Sequence, residues 1–156
     1  MTGGPESSLY VEFVAAWTVR PLRARVLRPG QPLSSVDHDY DHRPDTFHVA
    51  AFGPAGGVVA CATFYPEPTA DGRDAWRLRA MASAPEVRGQ GYGARVLTFG
   101  LTEVRARGGS LVWCNARTPA VGFYTRLGFS TVGDEFDIPP IGPHYFMHVQ
   151  LTEVGP

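Results

Sequence analysis

The spacing of apolar residues along this chain changes several times, and each change marks an element. Over residues 17–27, Trp17, Leu22, Val26 and Leu27 can share one helical face while Arg20, Arg23, Arg25 and Arg28 fan outward, until Pro29-Gly30 stops the helix. Residues 31–45 have no apolar period, and carry Pro32, Pro44 and the run Asp37-His38-Asp39-Tyr40-Asp41-His42. A long loop with room for a short helical turn is expected there. Residues 47–52 and 58–65 are apolar runs joined by Gly53-Pro54-Ala55-Gly56-Gly57, the pattern of an antiparallel hairpin. A Pro-rich connection leads to residues 76–83, where apolar and polar positions alternate as in a strand. The period then turns helical. Ala94, Leu97, Leu101 and Val104 fall on one face, Glu103 and Arg107 can pair at i,i+4, and Gly108-Gly109 ends the helix. Gly100 within it predicts close packing, since glycine otherwise weakens a helix by about 1 kcal/mol.

Residues 111–115 read as a short strand, Thr118-Pro119 as the start of a helix running to Leu127, and Gly128 as its left-handed stop. Strands over residues 129–132 and 145–151 follow. The order is helix, three strands, helix, strand, helix, two strands, which gives a mixed α/β chain with helices packed on one sheet. Residues 1–8 read as a disordered leader before a single domain over 9–156; no repeat or second-domain linker is visible.

Composition narrows what such a fold can do. At 156 residues and 44% apolar side chains, the chain can bury a core without staples. A formal net charge of -1 gives no footprint for nucleic acid, so any anion site must be local. Cys61 and Cys114 lie far apart in apolar runs and form no metal-ligand cluster, which fits buried free thiols in a reducing cytoplasm. No apolar run approaches the roughly 20 residues that span a bilayer, so no membrane association is expected.

The chemistry concentrates at Arg88-Gly89-Gln90-Gly91-Tyr92-Gly93, between a strand and a helix. A helix N-terminus offers unpaired N–H groups and partial positive charge, and glycines let a phosphate come close to them. Arg88 adds a planar cationic donor. Gly89, Gly91 and Ala94 also satisfy a dinucleotide fingerprint. That reading expects an acidic residue about 20 positions on and a run of parallel units, whereas here the next strand reaches Asn115 and a hairpin precedes the turn. A glycine turn with no ligand is the third reading.

Arg88-x-x-Gly91-x-Gly93 after Leu78-Arg79-Ala80-Met81-Ala82 resembles the coenzyme A signature of the Gcn5-related N-acetyltransferase (GNAT) superfamily. Phe123-Tyr124-Thr125-Arg126-Leu127-Gly128-Phe129 resembles its second signature. The resemblance covers residues 76 onward. It implies a GNAT-like acyl-CoA N-acyltransferase fold: a mixed, mostly antiparallel sheet splayed between its central strands, with helices on both faces. It also implies acetyl-CoA as co-substrate, no metal, and an amine-bearing acceptor, small molecule or protein. Carried over by position, Met81 and Ala82 would offer backbone groups to pantetheine and the acyl carbonyl, and Arg88, Gly89, Gln90, Gly91, Tyr92, Gly93 and Ala94 would cradle the pyrophosphate. Asn115 would face the cofactor, or else simply turn strand into helix.

Tyr124 matches the aromatic that protonates the departing thiolate, against the reading that it is core aromatic with Ala120, Phe123 and Leu127. His144, placed just before the last strand, is the best-placed base, although a histidine there is often structural; Glu67 and Asp74 rank below it. The run 37–42 is expected to be a solvated acidic loop rather than a metal site, and at the cleft mouth it would favour a cationic acceptor. Arg77 and Arg79, on one strand face, would favour a carboxylated one. An N-acetyltransferase and a coenzyme A-binding sensor that has lost turnover are the two functional classes to separate. Whether the chain works alone or as a homodimer is left open.

Overall fold

The structure, a computed structural model, describes residues 10–151. The expected leader lies outside them. The chain opens with a strand, β1 (Tyr10–Val14), and then α1 (Ala16–Leu27) and two 3-10 turns, Leu33–Val36 and Asp39–His42. The hairpin is β2 (Phe47–Phe52) and β3 (Val58–Pro66), followed by β4 (Trp76–Ser83), a 3-10 turn at Pro85–Val87, and α2 (Tyr92–Ala106). Next come β5 (Leu111–Arg117), a 3-10 turn at Thr118–Ala120, α3 (Val121–Arg126), β6 (Ser130–Thr131), β7 (Phe136–Ile138) and β8 (Gly142–Gln150). All eight strands form one sheet in the order β1-β2-β3-β4-β5-β8-β6, with β7 also on β8. Every pairing is antiparallel except β4 with β5.

Alternation along β3 assigns the two long helices to opposite faces. Phe64 packs on α2, where a Cβ on Gly100 would lie 2.1 Å from the Phe64 ring; only glycine admits that approach. Thr63, its neighbour, points the other way and accepts a hydrogen bond from Arg23 of α1. The core lies between sheet and α2 through Val96, Leu97 and Val104, and between sheet and α1 through Val19 and Leu22.

Several expectations need correction. β1 and β7 were not foreseen. The helix expected from Thr118 begins as a 3-10 turn, β5 runs two residues past Asn115, β6 is shorter than residues 129–132, and β8 starts at Gly142. Trp17 is 71% exposed and belongs to no core face. Arg23, expected to point outward, is completely buried. Its guanidinium reaches Asp41 through Nη1–Oδ2 (2.7 Å) and Nη2–Oδ1 (2.9 Å), and donates to the Val36 carbonyl. The run 37–42 is therefore not a solvated acidic loop, because Tyr40 and Asp41 are buried in it. His48 closes the cluster, with Nδ1 against Thr63 Oγ1 at 2.8 Å and Nε2 against the Asp41 carbonyl at 3.3 Å.

Candidate active site

β4 and β5 run side by side but pair only at Trp76 with Val112 and Arg77 with Trp113. The cause lies in β4. From Cys61 to Thr63 of β3 is two steps, while the partners Ala82 and Arg79 are three steps apart, so β4 carries one extra residue. Ala80 there has φ 55°, a left-handed conformation that costs a non-glycine residue about 1–3 kcal/mol. Beyond Arg77 the inward peptide groups of the two strands have no ladder partners in each other. Another extended chain could supply them.

The bulge also resets which side chains face which helix. Before it, Leu78 shares the α2 face with Phe64, and Arg77 and Arg79 share the α1 face with Tyr65 and Thr63. After it, Met81 and Ser83 face α2: a Cβ on Gly93 would meet Ser83 Oγ at 2.9 Å and Met81 Cε at 3.4 Å. On β5, Trp113 stacks under Arg77 at 4.4 Å, so Trp113, Asn115 and Arg117 take the α1 face and Cys114 takes the α2 face. Direct pairing puts His144 beside Arg117 and Phe146 beside Asn115.

The glycine turn sits at the α2 end of this gap. Gly91 has φ 89° as the residue before the helix, and the first intrahelical bond runs from Arg95 N–H to the Gly91 carbonyl. A helix N-terminus in general leaves its first N–H groups without intrahelical acceptors. Arg88, Gly89, Gln90 and Gly91 are exposed, while the side chain of Tyr92 is buried with Gly93 beneath it. Arg88 donates to the Ser83 carbonyl at 3.3 Å and Gln90 to the Glu86 carbonyl at 3.4 Å, which ties the turn to the end of β4. An exposed glycine turn at a helix N-terminus with one arginine suits a pyrophosphate.

A cavity of about 220 Å³ fills the gap. Met81, Cys114 and Tyr124 line it from the α2 side, and Arg79, Asn115, Arg117 and His144 from the α1 side. It therefore passes through the sheet. Tyr124, 6% exposed, packs against Phe123 and Phe129. Burial pushes its phenol well above the ordinary range, Cys114 adds to that and Arg117 opposes it, so the hydroxyl keeps its proton at neutral pH. Burial likewise pushes the Cys114 thiol up to about 12, which removes it as a thiolate nucleophile. His144 Nδ1 lies 2.7 Å from the Gly142 carbonyl. A carbonyl can only accept, so Nδ1 carries the hydrogen and Nε2 of the neutral ring is left as an acceptor.

These elements, a splayed parallel pair beside a glycine turn and a buried phenol in the gap, coincide with a sequence match. A profile of the acetyltransferase (GNAT) family matches residues 11–129. The chain belongs to that family. This GNAT protein is 33% identical over 145 residues to the uncharacterized N-acetyltransferase YitI of Bacillus subtilis (strain 168), covering 92% of this chain and 97% of the relative. Its fold is similar to that of Escherichia coli ElaA, with a TM-score of 0.72 at 18% identity over 90% of this chain and 99% of the other. It is also similar to an aminoglycoside 6'-N-acetyltransferase complexed with coenzyme A, with a TM-score of 0.72 at 15% identity over 95% of this chain and all of the other. The mixed, mostly antiparallel sheet with helices on both faces is the GNAT fold.

The GNAT structure brings Met81, Asn115, Tyr124 and His144 to one cavity, and holds the turn 88–93 at its α2 end without lining it. His144 lies inside β8 rather than before it. Glu67 does not line the cavity and is engaged by Arg77 at 3.0 Å, and Asp74 is exposed away from it. Among the described residues no group of three His, Cys, Asp or Glu side chains is placed to hold a metal, the run 37–42 included. Sequence reasoning missed Arg28 and Arg117 and considered His38 and Tyr40 only as part of the acidic run 37–42; all four line the cavity. Arg28 and Arg117 follow the ends of recognisable elements, but nothing local shows that those ends converge.

Proposed function

We propose that this protein transfers an acetyl group from acetyl-CoA to an amine by direct attack. The observation that carries the reading is the cavity through the sheet, with a protonated phenol on the α2 side and an acceptor imidazole nitrogen on the α1 side. The residues fit the cofactor: the turn 88–93 would hold its phosphates, and the unpaired edges of β4 and β5 would hold its pantetheine arm as an added strand. When bound, the cofactor supplies a thioester carbonyl and a thiolate leaving group. The backbone at Met81 and Ala82 is the proposed donor toward charge that builds on the carbonyl oxygen. Tyr124 gives its hydroxyl proton to the departing sulfur, and His144 Nε2 takes a proton from the amine. Asn115 borders the gap and orients what enters it. The buried thiols Cys61 and Cys114 suit a reducing cytoplasm, the setting we propose.

The test is thiol release from acetyl-CoA across a panel of amines and amino acids, with Tyr124→Phe beside the wild type. We expect release with at least one acceptor, and a fall in kcat of about 100-fold or more in the variant with little change in coenzyme A affinity. Tight coenzyme A binding with no release from any acceptor would make the protein a sensor rather than an enzyme.

A further inference from the structure

The α1 side of the cavity carries a charge pattern that the reaction does not require. Five arginines line it: Arg23, Arg28, Arg77, Arg79 and Arg117, and no Asp or Glu does. Two are already neutralised, Arg23 by Asp41 and Arg77 by Glu67. Among the described residues, Arg28, Arg79 and Arg117 have no carboxylate partner. Arg28 donates to the neighbouring Leu27 carbonyl, and Arg79 lies over the Tyr40 ring at 4.8 Å. Tyr40 is in turn stacked with His38, which also lines the cavity. The three cations come from three elements, the end of α1, the middle of β4 and the end of β5, and converge on one wall. Arg28 is close enough to Arg117 to weaken the hold of Arg117 on its proton, after burial itself. Converging cations without a counter-ion are costly to keep, and an anionic group is what would offset them.

The glycine turn is not part of this wall, because none of residues 88–93 lines the cavity. What meets Arg28, Arg79 and Arg117 arrives on the α1 side, opposite the donor. We infer that the acceptor is an amine carrying a carboxylate, held by Arg28, Arg79 and Arg117 so that its amine points into the gap between β4 and β5. This inference rests on the acyl-transfer reading for the direction of approach. It also replaces the expectation of a cationic acceptor chosen by the run 37–42, whose Asp41 is consumed by Arg23.

The experiment compares amino acids with their α-amides and decarboxylated amines, in two readouts. One is kcat/KM from thiol release with acetyl-CoA; the other is calorimetric binding of the same compounds to protein loaded with coenzyme A. We expect the carboxylated member of a matched pair to be favoured about 10- to 100-fold, and Arg117→Gln or Arg28→Gln to cut that ratio at least tenfold. Arg79→Lys, which keeps the charge, should retain more of the ratio than Arg79→Gln. Equal or better use of the amides or decarboxylated amines overturns the inference. So does a rise in KM for acetyl-CoA in the arginine variants that matches the rise for the acceptor, since the arginines would then serve the cofactor's phosphates. If no thiol is released, acyl transfer fails while the binding readout still decides: carboxylate-dependent binding lost in Arg117→Gln upholds the anion site, and its absence in the wild type rejects it.

Discussion

At the scale of single residues, the most informative departure from expectation is Arg23. Four arginines spaced along one amphipathic stretch read as a solvated fringe because a lone guanidinium is rarely buried. What buries this one lies 18 residues downstream, where Asp41 offers both carboxylate oxygens, and 40 downstream, where Thr63 offers a hydroxyl. No local pattern announces such a partner. Burial alone would lower the Arg23 pKa and raise that of Asp41; the contact between them overrides both, raising the first and lowering the second. Arg23→Met leaves a buried carboxylate unpaired and should destabilise the fold by about 3–5 kcal/mol, read by urea unfolding. Arg23→Met combined with Asp41→Leu should recover most of that loss. A single variant within about 0.5 kcal/mol of wild type would show that the pair does not hold α1 to the sheet. Tyr124 makes the opposite point, because its place was legible once the Gly128-Phe129 stop fixed the end of its helix.

Among the elements, the hairpin, the strand before the turn and the helix after it were readable because each has an uninterrupted period and a marked end. β1 was not, since Tyr10–Val14 is a short edge strand with two exposed residues among five, following a polar stretch. β7 is three residues long and has no period to read. The splay of β4 was implied by the resemblance, but the position of its bulge was not legible: its left-handed residue is Ala80, where glycine would have been a signal. That bulge is the element on which the gap depends. Ala80→Val puts a β-branched side chain at φ 55° and should either destabilise the fold by about 1–3 kcal/mol or straighten β4 against β5. In both cases coenzyme A affinity falls, whereas Ala80→Gly, which adopts that conformation freely, should bind as tightly as wild type with equal or higher thermal stability. Equal affinity in the valine variant would mean that the splay has another origin.

For the whole molecule, a net charge near zero hid an internal asymmetry: acidic partners are drawn to Arg20, Arg23, Arg25, Arg73, Arg77 and Arg107, while Arg28, Arg79 and Arg117 on the cavity wall have no carboxylate partner among the described residues. The same burial that builds this asymmetry makes stability depend on pH in two separate windows. His48 is held below the ordinary imidazole value, chiefly by burial and then by Arg23 beside it, although the Asp41 carbonyl pulls the other way. Its depressed folded-state pKa means that the unfolded chain binds a proton which the native state resists. The contribution is therefore complete above about pH 6.5 and is lost as pH falls through the folded value. Asp41 is also depressed, so its contribution persists to about pH 4 and is lost only below that. Unfolding free energy should thus be level from pH 7 to 8, fall on the order of 1 kcal/mol per pH unit once His48 begins to resist protonation, and fall again below about pH 4. His48→Gln should make the first decline shallower, leaving the share of His38, which burial also holds below its ordinary value, and should leave the second in place. A wild-type stability that stays level from pH 7.5 to 5 would mean that the imidazole takes up its proton in the native state, and that the Arg23, Asp41, Thr63 and His48 cluster is open to water.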